Sequence, residues 1–250
     1  MTPPWRRVGL LIPSSNTSIE REYPRWMPAT LSFHAARLTL TQLSAEGMGA
    51  QLGEMRRAAE SLRDARVDAI LLCQTAASYW MGRDWDTAIR RDLADWAGSP
   101  ALTAAQTVLD ALAALGARRV AFAAPFPAEI GEASLRYLRA AGIEVVGSAF
   151  GGLRDNFAIA EMSRDAILDL ALRADHPAAE ALLMPGGNMP YLAVAEEIEA
   201  RLGKPMVSTN QAGMWALLSL FALPDRIAGA GRLLGERPGD VAFPPGRPLP

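Results

Sequence analysis

The sequence predicts an α/β protein of two pseudo-symmetric halves, each a doubly wound parallel sheet, with any ligand site in the cleft between them. Three observations predict this. Short apolar runs alternate with longer amphipathic ones along the 250 residues, the pattern of parallel strands joined by crossover helices. Two pairs of segments recur 112 positions apart: Arg7-Val-Gly-Leu-Leu-Ile-Pro13 resembles Arg119-Val-Ala-Phe-Ala-Ala-Pro125, and Asp68-Ala-Ile-Leu-Leu-Cys-Gln74 resembles Glu180-Ala-Leu-Leu-Met-Pro-Gly186. A third pair in the same order, Pro100–Gln106 and Pro205–Gln211, is offset by 105.

The elements follow in chain order. Val8–Ile12 is a strand closing on Pro13-Ser-Ser-Asn-Thr17, where Ser15 and Asn16 suit both the cap of the next helix and a ligand at that helix end. Ser32–Leu38 is the second strand, and Ser44–Arg66 a long helix with a break expected at Gly53. Ala69–Cys73 and Ala101–Thr103 are the third and fourth strands; Val108, Leu109, Leu112 and Leu115 then set a helical stripe. The second half repeats the plan with strands at Val120–Ala124, Glu144–Ser148, Ala181–Met184 and Met206–Val207. Leu192, Ala195, Ile198 and Leu202 form its helical stripe, with Glu196, Glu197 and Arg201 toward water. The expected division is residues 1–112 with 209–250 in one half and 113–208 in the other. Residues 237–250, rich in proline, glycine and arginine, read as a flexible tail or an arm on a partner subunit.

Composition excludes several chemistries. Half the residues are hydrophobic and the net charge is -2, so no basic field calls for nucleic acid or an anionic membrane. The single cysteine, Cys73, permits no internal disulfide and fits a reducing, cytoplasmic compartment. His34 and His176 lie far apart without cysteine partners, which argues against a zinc site. Lysine occurs once, at Lys204, with no Gly-Lys-Ser/Thr phosphate loop, and neither a targeting segment nor a membrane-spanning run is evident. In a parallel sheet, ligands sit beyond the carboxyl ends of the strands. The loops expected there are rich in hydroxyl and amide side chains and poor in charge, which suits a small carboxylate held by neutral donors.

Two segments carry a family resemblance. Gly9-Leu-Leu-Ile-Pro-Ser-Ser-Asn-Thr17 and Leu202-Gly-Lys-Pro-Met-Val-Ser-Thr-Asn-Gln-Ala212 resemble the maleate cis-trans isomerase and arylmalonate decarboxylase group of the Asp/Glu racemase superfamily. Asp155–Ala160 and Gly229–Leu234 add weaker matches. The resemblance implies two pseudo-symmetric α/β halves and a cofactor-independent enzyme. One cysteine per half would act as base, proton donor or nucleophile, beside a cradle of hydroxyl and N–H groups. It places those cysteines at Gln74 and Gly186, where the sequence has neither, and puts Phe126 at the family's tyrosine.

Each candidate has two readings. Cys73, one residue before the implied position, is the one thiol available for catalysis or a buried core residue. Gln74 does not titrate and serves as donor or acceptor to substrate. Thr75 supplies a hydroxyl and an N–H. Asn156 caps a helix or binds ligand. Gly186 and Gly187 make a tight turn that lets backbone approach an anion, and Phe126 walls the pocket. Trp80 and Trp85 suit lid packing. Arg37 and Arg232 are capable of pairing with a carboxylate. The expectation is a decarboxylase or cis-trans isomerase for a small mono- or dicarboxylic acid, without cofactor or metal, with a homo-oligomer allowed. The alternative is a carboxylate-binding relative without catalysis, or an enzyme of this fold with thiol-free chemistry.

Overall fold

The computed structural model describes residues 5–40 and 45–237, with side chains omitted at 45–50. The first half contains β1 (Arg6–Pro13), α1 (Ile19–Trp26), β2 (Leu31–Leu38), α2 (Ala45–Asp64), β3 (Ala69–Leu72), α3 (Ala76–Met81), α4 (Arg83–Ala97), β4 (Ala101–Thr103) and α5 (Ala104–Ala114). The second contains β5 (Arg119–Ala124), α6 (Ala128–Ala140), β6 (Glu144–Phe150), α7 (Asn156–Ala160), α8 (Arg164–Ala174), β7 (Ala181–Met184), a 3-10 turn at Leu192–Val194, α9 (Ala195–Leu202) and β8 (Met206–Ser208); α10 (Thr209–Leu220) and α11 (Arg232–Gly235), expected with the first half, follow β8 in the chain.

The two sheets have the same topology, β2-β1-β3-β4 and β6-β5-β7-β8, and every pairing is parallel. Each of the three sequence repeats is a pair of equivalent strands: β1 with β5, β3 with β7, β4 with β8. Even the anchoring recurs. Arg7 N donates to Asp68 Oδ2 at 2.7 Å, and Arg119 N to Glu180 Oε2 at 2.9 Å, one acid fixing the start of the central strand in each half. The equivalent helices α5 and α10 pack against each other and stitch the halves together. Thr103 Oγ1 accepts from Gln106 N at their first turn, and Ser208 Oγ from Gln211 N.

One structural finding corrects the sequence reading. Helix α2 runs through Gly53 without a break, because its packing on α4 and β2 outweighs the roughly 1 kcal/mol that an interior glycine costs. Its expected start at Ser44 lies outside the described residues, as does the tail from 238 onward. Among the described residues, no helix is long and apolar enough to cross a membrane.

The inner strands β1, β3, β5 and β7 are covered on both faces and are near-continuous apolar runs, whereas the edge strands β2 and β6 stay partly exposed. Along β3 the faces alternate. Ala69, Leu71 and Cys73 belong to the large core that unites the halves, while Ile70 and Leu72 belong to a smaller core under α2 and α4. That alternation decides where Cys73 and Gln74 point.

Candidate active site

In each half the strand order reverses beside the central strand, between β1 and β3 and between β5 and β7, which is where parallel sheets open a binding crevice. One cleft lies over both reversal points. Pro13, Asn16, Leu40, Cys73, Gln74, Thr75 and Ala76 line it from the first half, and Phe126, Asn156, Ile159, Gly186, Gly187 and Asn188 from the second. Leaving aside the tryptophans and arginines, eight of the nine residues that the sequence reading proposes for the site therefore meet here. The ninth, Ser15, stands behind the wall: its Oγ accepts from Asn156 Nδ2 at 3.0 Å and donates to the Leu40 carbonyl.

The residue that organises the cleft is Asn188, which the sequence reading does not name as a site residue. Its Oδ1 accepts from Thr17 N at 2.8 Å and Ser18 N at 3.1 Å, and its Nδ2 donates to Asn156 O at 2.7 Å. Ser18 Oγ donates to its carbonyl at 2.8 Å. One buried amide thus ties the loops after β1, β6 and β7. Asn16 is a cap, its Oδ1 accepting from Ser18 N and Ile19 N, both at 3.0 Å. Asn156 is the first residue of α7; the cap there is Asp155.

Gly186 requires its glycine, with φ at +114° and the Cγ of Pro125 3.0 Å from where a Cβ would stand. The same conformation turns its N–H onto Thr209 Oγ1 at 3.1 Å, and Tyr191 Oη donates to its carbonyl at 2.8 Å. The expectation that both glycines offer N–H groups to an anion is therefore corrected: Gly186 is committed internally. Gly187 accepts from Asn210 Nδ2 at 3.1 Å, while its own N–H and those of Asn188, Gln74 and Thr75 have no acceptor among the described residues. These donors come from the two equivalent turns, after β3 and after β7.

Cys73 and Gln74 point to opposite sides. Cys73 is buried, and its Sγ donates to the Leu71 carbonyl at 3.4 Å. A carbonyl accepts only, so this contact suits the protonated thiol. Burial pushes its pKa well above the ordinary thiol value. Gln74 turns toward α2 and donates Nε2 to Gln51 Oε1. Beneath Gly187, Asn210 Nδ2 also donates to Glu22 Oε2 at 2.6 Å, and burial raises Glu22 to about 7 against the opposing pull of that bond and of Arg21 and Arg25. Nothing in the sequence marked Glu22, since a glutamate in the first turn of a helix reads as a surface residue.

Among the described residues, the cleft wall carries no arginine, lysine or histidine. Arg37 lies outside it, donating to the carbonyls of Ser14 and Asn16 and pairing with Glu20. Arg232 is exposed on α11. Among the described residues no three His, Cys, Asp or Glu side chains converge as metal ligands.

A family model described as arylmalonate decarboxylase matches residues 8–234. The chain belongs to the arylmalonate decarboxylase family. Relatives of this family member include the maleate isomerase of Nocardia farcinica, 31% identical over 92% of this chain and 96% of that one. The arylmalonate decarboxylase of Bordetella bronchiseptica is 28% identical over 93% of each. Among solved structures, a cysteine-to-alanine maleate isomerase from Pseudomonas putida S16 with maleate superposes with a TM-score of 0.88 at 29% identity, covering 92% of this chain and 97% of that one. A cysteine-to-serine maleate cis-trans isomerase from Nocardia farcinica, which carries a covalently bound succinylcysteine intermediate, gives 0.88 at 29% identity and covers 92% and 98%. The family is thus one of enzymes, isomerases and decarboxylases, built on the fold described above.

Proposed function

We propose that this chain decarboxylates a small malonate-type acid without cofactor, with Cys73 as the proton donor. The observation that carries the reading is the state of the one thiol on the cleft wall: it is buried and donates its proton to Leu71 O. Cis-trans isomerisation by covalent addition, as the succinylcysteine in the Nocardia farcinica relative implies for that enzyme, needs a thiolate nucleophile. A thiol kept protonated suits the opposite task.

In the proposed reaction the N–H groups of Gln74, Thr75, Gly187 and Asn188, with the Thr75 hydroxyl, hold carboxylate oxygens. The bond from the α-carbon to the departing carboxylate breaks heterolytically, carbon dioxide leaves, and the electron pair spreads into the remaining carboxylate as an enediolate. The N–H cradle offsets that charge as it grows. Apolar Leu40, Phe126 and Ile159 exclude water around the departing group. The Cys73 thiol turns from Leu71 O, protonates the α-carbon and recovers its proton from solvent.

The test is proton NMR of the protein with a panel of malonates and maleate, beside Cys73→Ala. Conversion of a malonate to its monoacid, abolished in the variant, is the expected result. Fumarate appearing from maleate would overturn the assignment in favour of isomerisation. Acids that raise thermal stability without any turnover would instead make the chain a carboxylate-binding relative, which glutamine at 74 and glycine at 186 favour.

A further inference from the structure

We infer that Asn210, itself held by Glu22, is a positioning residue for the carboxylate site: it locks the Gly187–Asn188 peptide so that the Asn188 N–H is left for the ligand. The inference rests on the carboxylate reading above. Met189 N donates to Gly186 O at 3.0 Å, closing a β-turn over Gly186–Met189 whose central peptide is Gly187–Asn188. That peptide is the one that turns over between turn types, exchanging the places of its carbonyl and its N–H. Gly187 has no side chain to oppose the exchange, so a group outside the turn must set its direction.

The first two residues of α10 supply that group. Thr209 Oγ1 accepts from Gly186 N at 3.1 Å. Asn210 Nδ2 donates to Gly187 O at 3.1 Å, the one donor that carbonyl has among the described residues. The same nitrogen donates to Glu22 Oε2 at 2.6 Å. A carbonyl only accepts, so turning the Asn210 amide over would set its oxygen against Gly187 O. The missing side chain at 187 admits Asn210, whose Oδ1 lies 3.1 Å from where a Cβ would stand. The peptide is trans, so its N–H points away from Asn210. Gly187 and Asn188 line the cleft and Asn210 does not, and the Asn188 N–H has no acceptor among the described residues. By the third repeat, the residues equivalent to Thr209 and Asn210 are Ala104 and Ala105, so this grip belongs to the second half alone.

Amide proton shifts in proton–nitrogen correlation spectra, followed while malonate is added to the Cys73→Ala chain, test this at the atom concerned. The Asn188 amide proton is expected to move downfield as it takes a carboxylate oxygen, together with that of Thr75 in the opposite turn. Adding Asn210→Ala should abolish the Asn188 movement, leave the Thr75 movement in place, and weaken malonate binding about tenfold. Glu22→Leu should do the same, whereas Glu22→Gln, which keeps an acceptor for Asn210, should behave as the parent chain. The Thr75 movement reports in each variant that fold and site persist. An Asn188 movement undiminished in Asn210→Ala or in Glu22→Leu would overturn the inference and leave the carboxylate reading intact. If malonate moves no amide of either turn in the parent chain, the carboxylate reading itself fails and this inference falls with it.

Discussion

Around the cleft, neighbouring side chains have been given opposite chemical states by their surroundings. The Cys73 thiol is kept protonated by burial and a backbone acceptor, and Gln74 is held with its acceptor free. Glu22, beneath Gly187, is a buried carboxyl whose titration is raised to about 7. Its folded-state pKa lies above the ordinary 4.5, at about 7. The proton is therefore bound more tightly in the folded chain. This group adds stability below about pH 4.5, and the contribution is lost as pH rises through 7, up to about 3 kcal/mol in all. Urea unfolding between pH 4 and 8 checks this: stability should fall over that interval, and Glu22→Gln should remove the slope. A slope unchanged in the variant would assign it to other groups. Glu22 was illegible in the sequence because its hydrogen-bond partner, Asn210, lies 188 positions away. The Cys73 and Gln74 pair was visible as residues but not as orientations, which depend on which core each face of β3 joins.

Strands were the most legible elements, because a parallel strand buried on both faces is a short apolar run whatever surrounds it. All eight lie where the apolar runs predict them, within two residues at each end. Helices carried weaker signals. Helix α1 carries an interior proline, Pro24, which argues against a helix although Ile19, Tyr23 and Trp26 set an apolar stripe, and α10, buried on all sides between the halves, has no periodic stripe to read. The cap of α10 is one that the sequence reading does not name: Ser208 precedes a helix whose third residue is Gln211, and both capping-box bonds form, with Ser208 N donating to Gln211 Oε1 at 2.9 Å. Ser208→Ala should lower stability by about 1 kcal/mol, measured by chemical denaturation. A loss below a few tenths would mean that packing of α10 alone sets its start.

At the scale of the whole molecule, the internal repeat was the decisive sequence feature, since it implied two like halves and hence a cleft between their strand ends. What it did not give was the clasp across that cleft. Asn188 bonds to Thr17, Ser18 and Asn156, and contacts between loops so distant in sequence leave no local pattern. Asn188→Ala should cost about 2–3 kcal/mol by stranding buried N–H groups, and should also abolish stabilisation by bound acid. Intact ligand stabilisation in that variant would separate the clasp from the site. The central claim is that a malonate-type acid held between the halves is protonated from one wall, by Cys73. Its most direct test is the stereochemistry of turnover of the prochiral 2-ethyl-2-methylmalonate in D2O. The account predicts 2-methylbutyrate of one hand, with deuterium on the α-carbon, and no product from Cys73→Ala. Racemic product, or undiminished turnover in the variant, would contradict it.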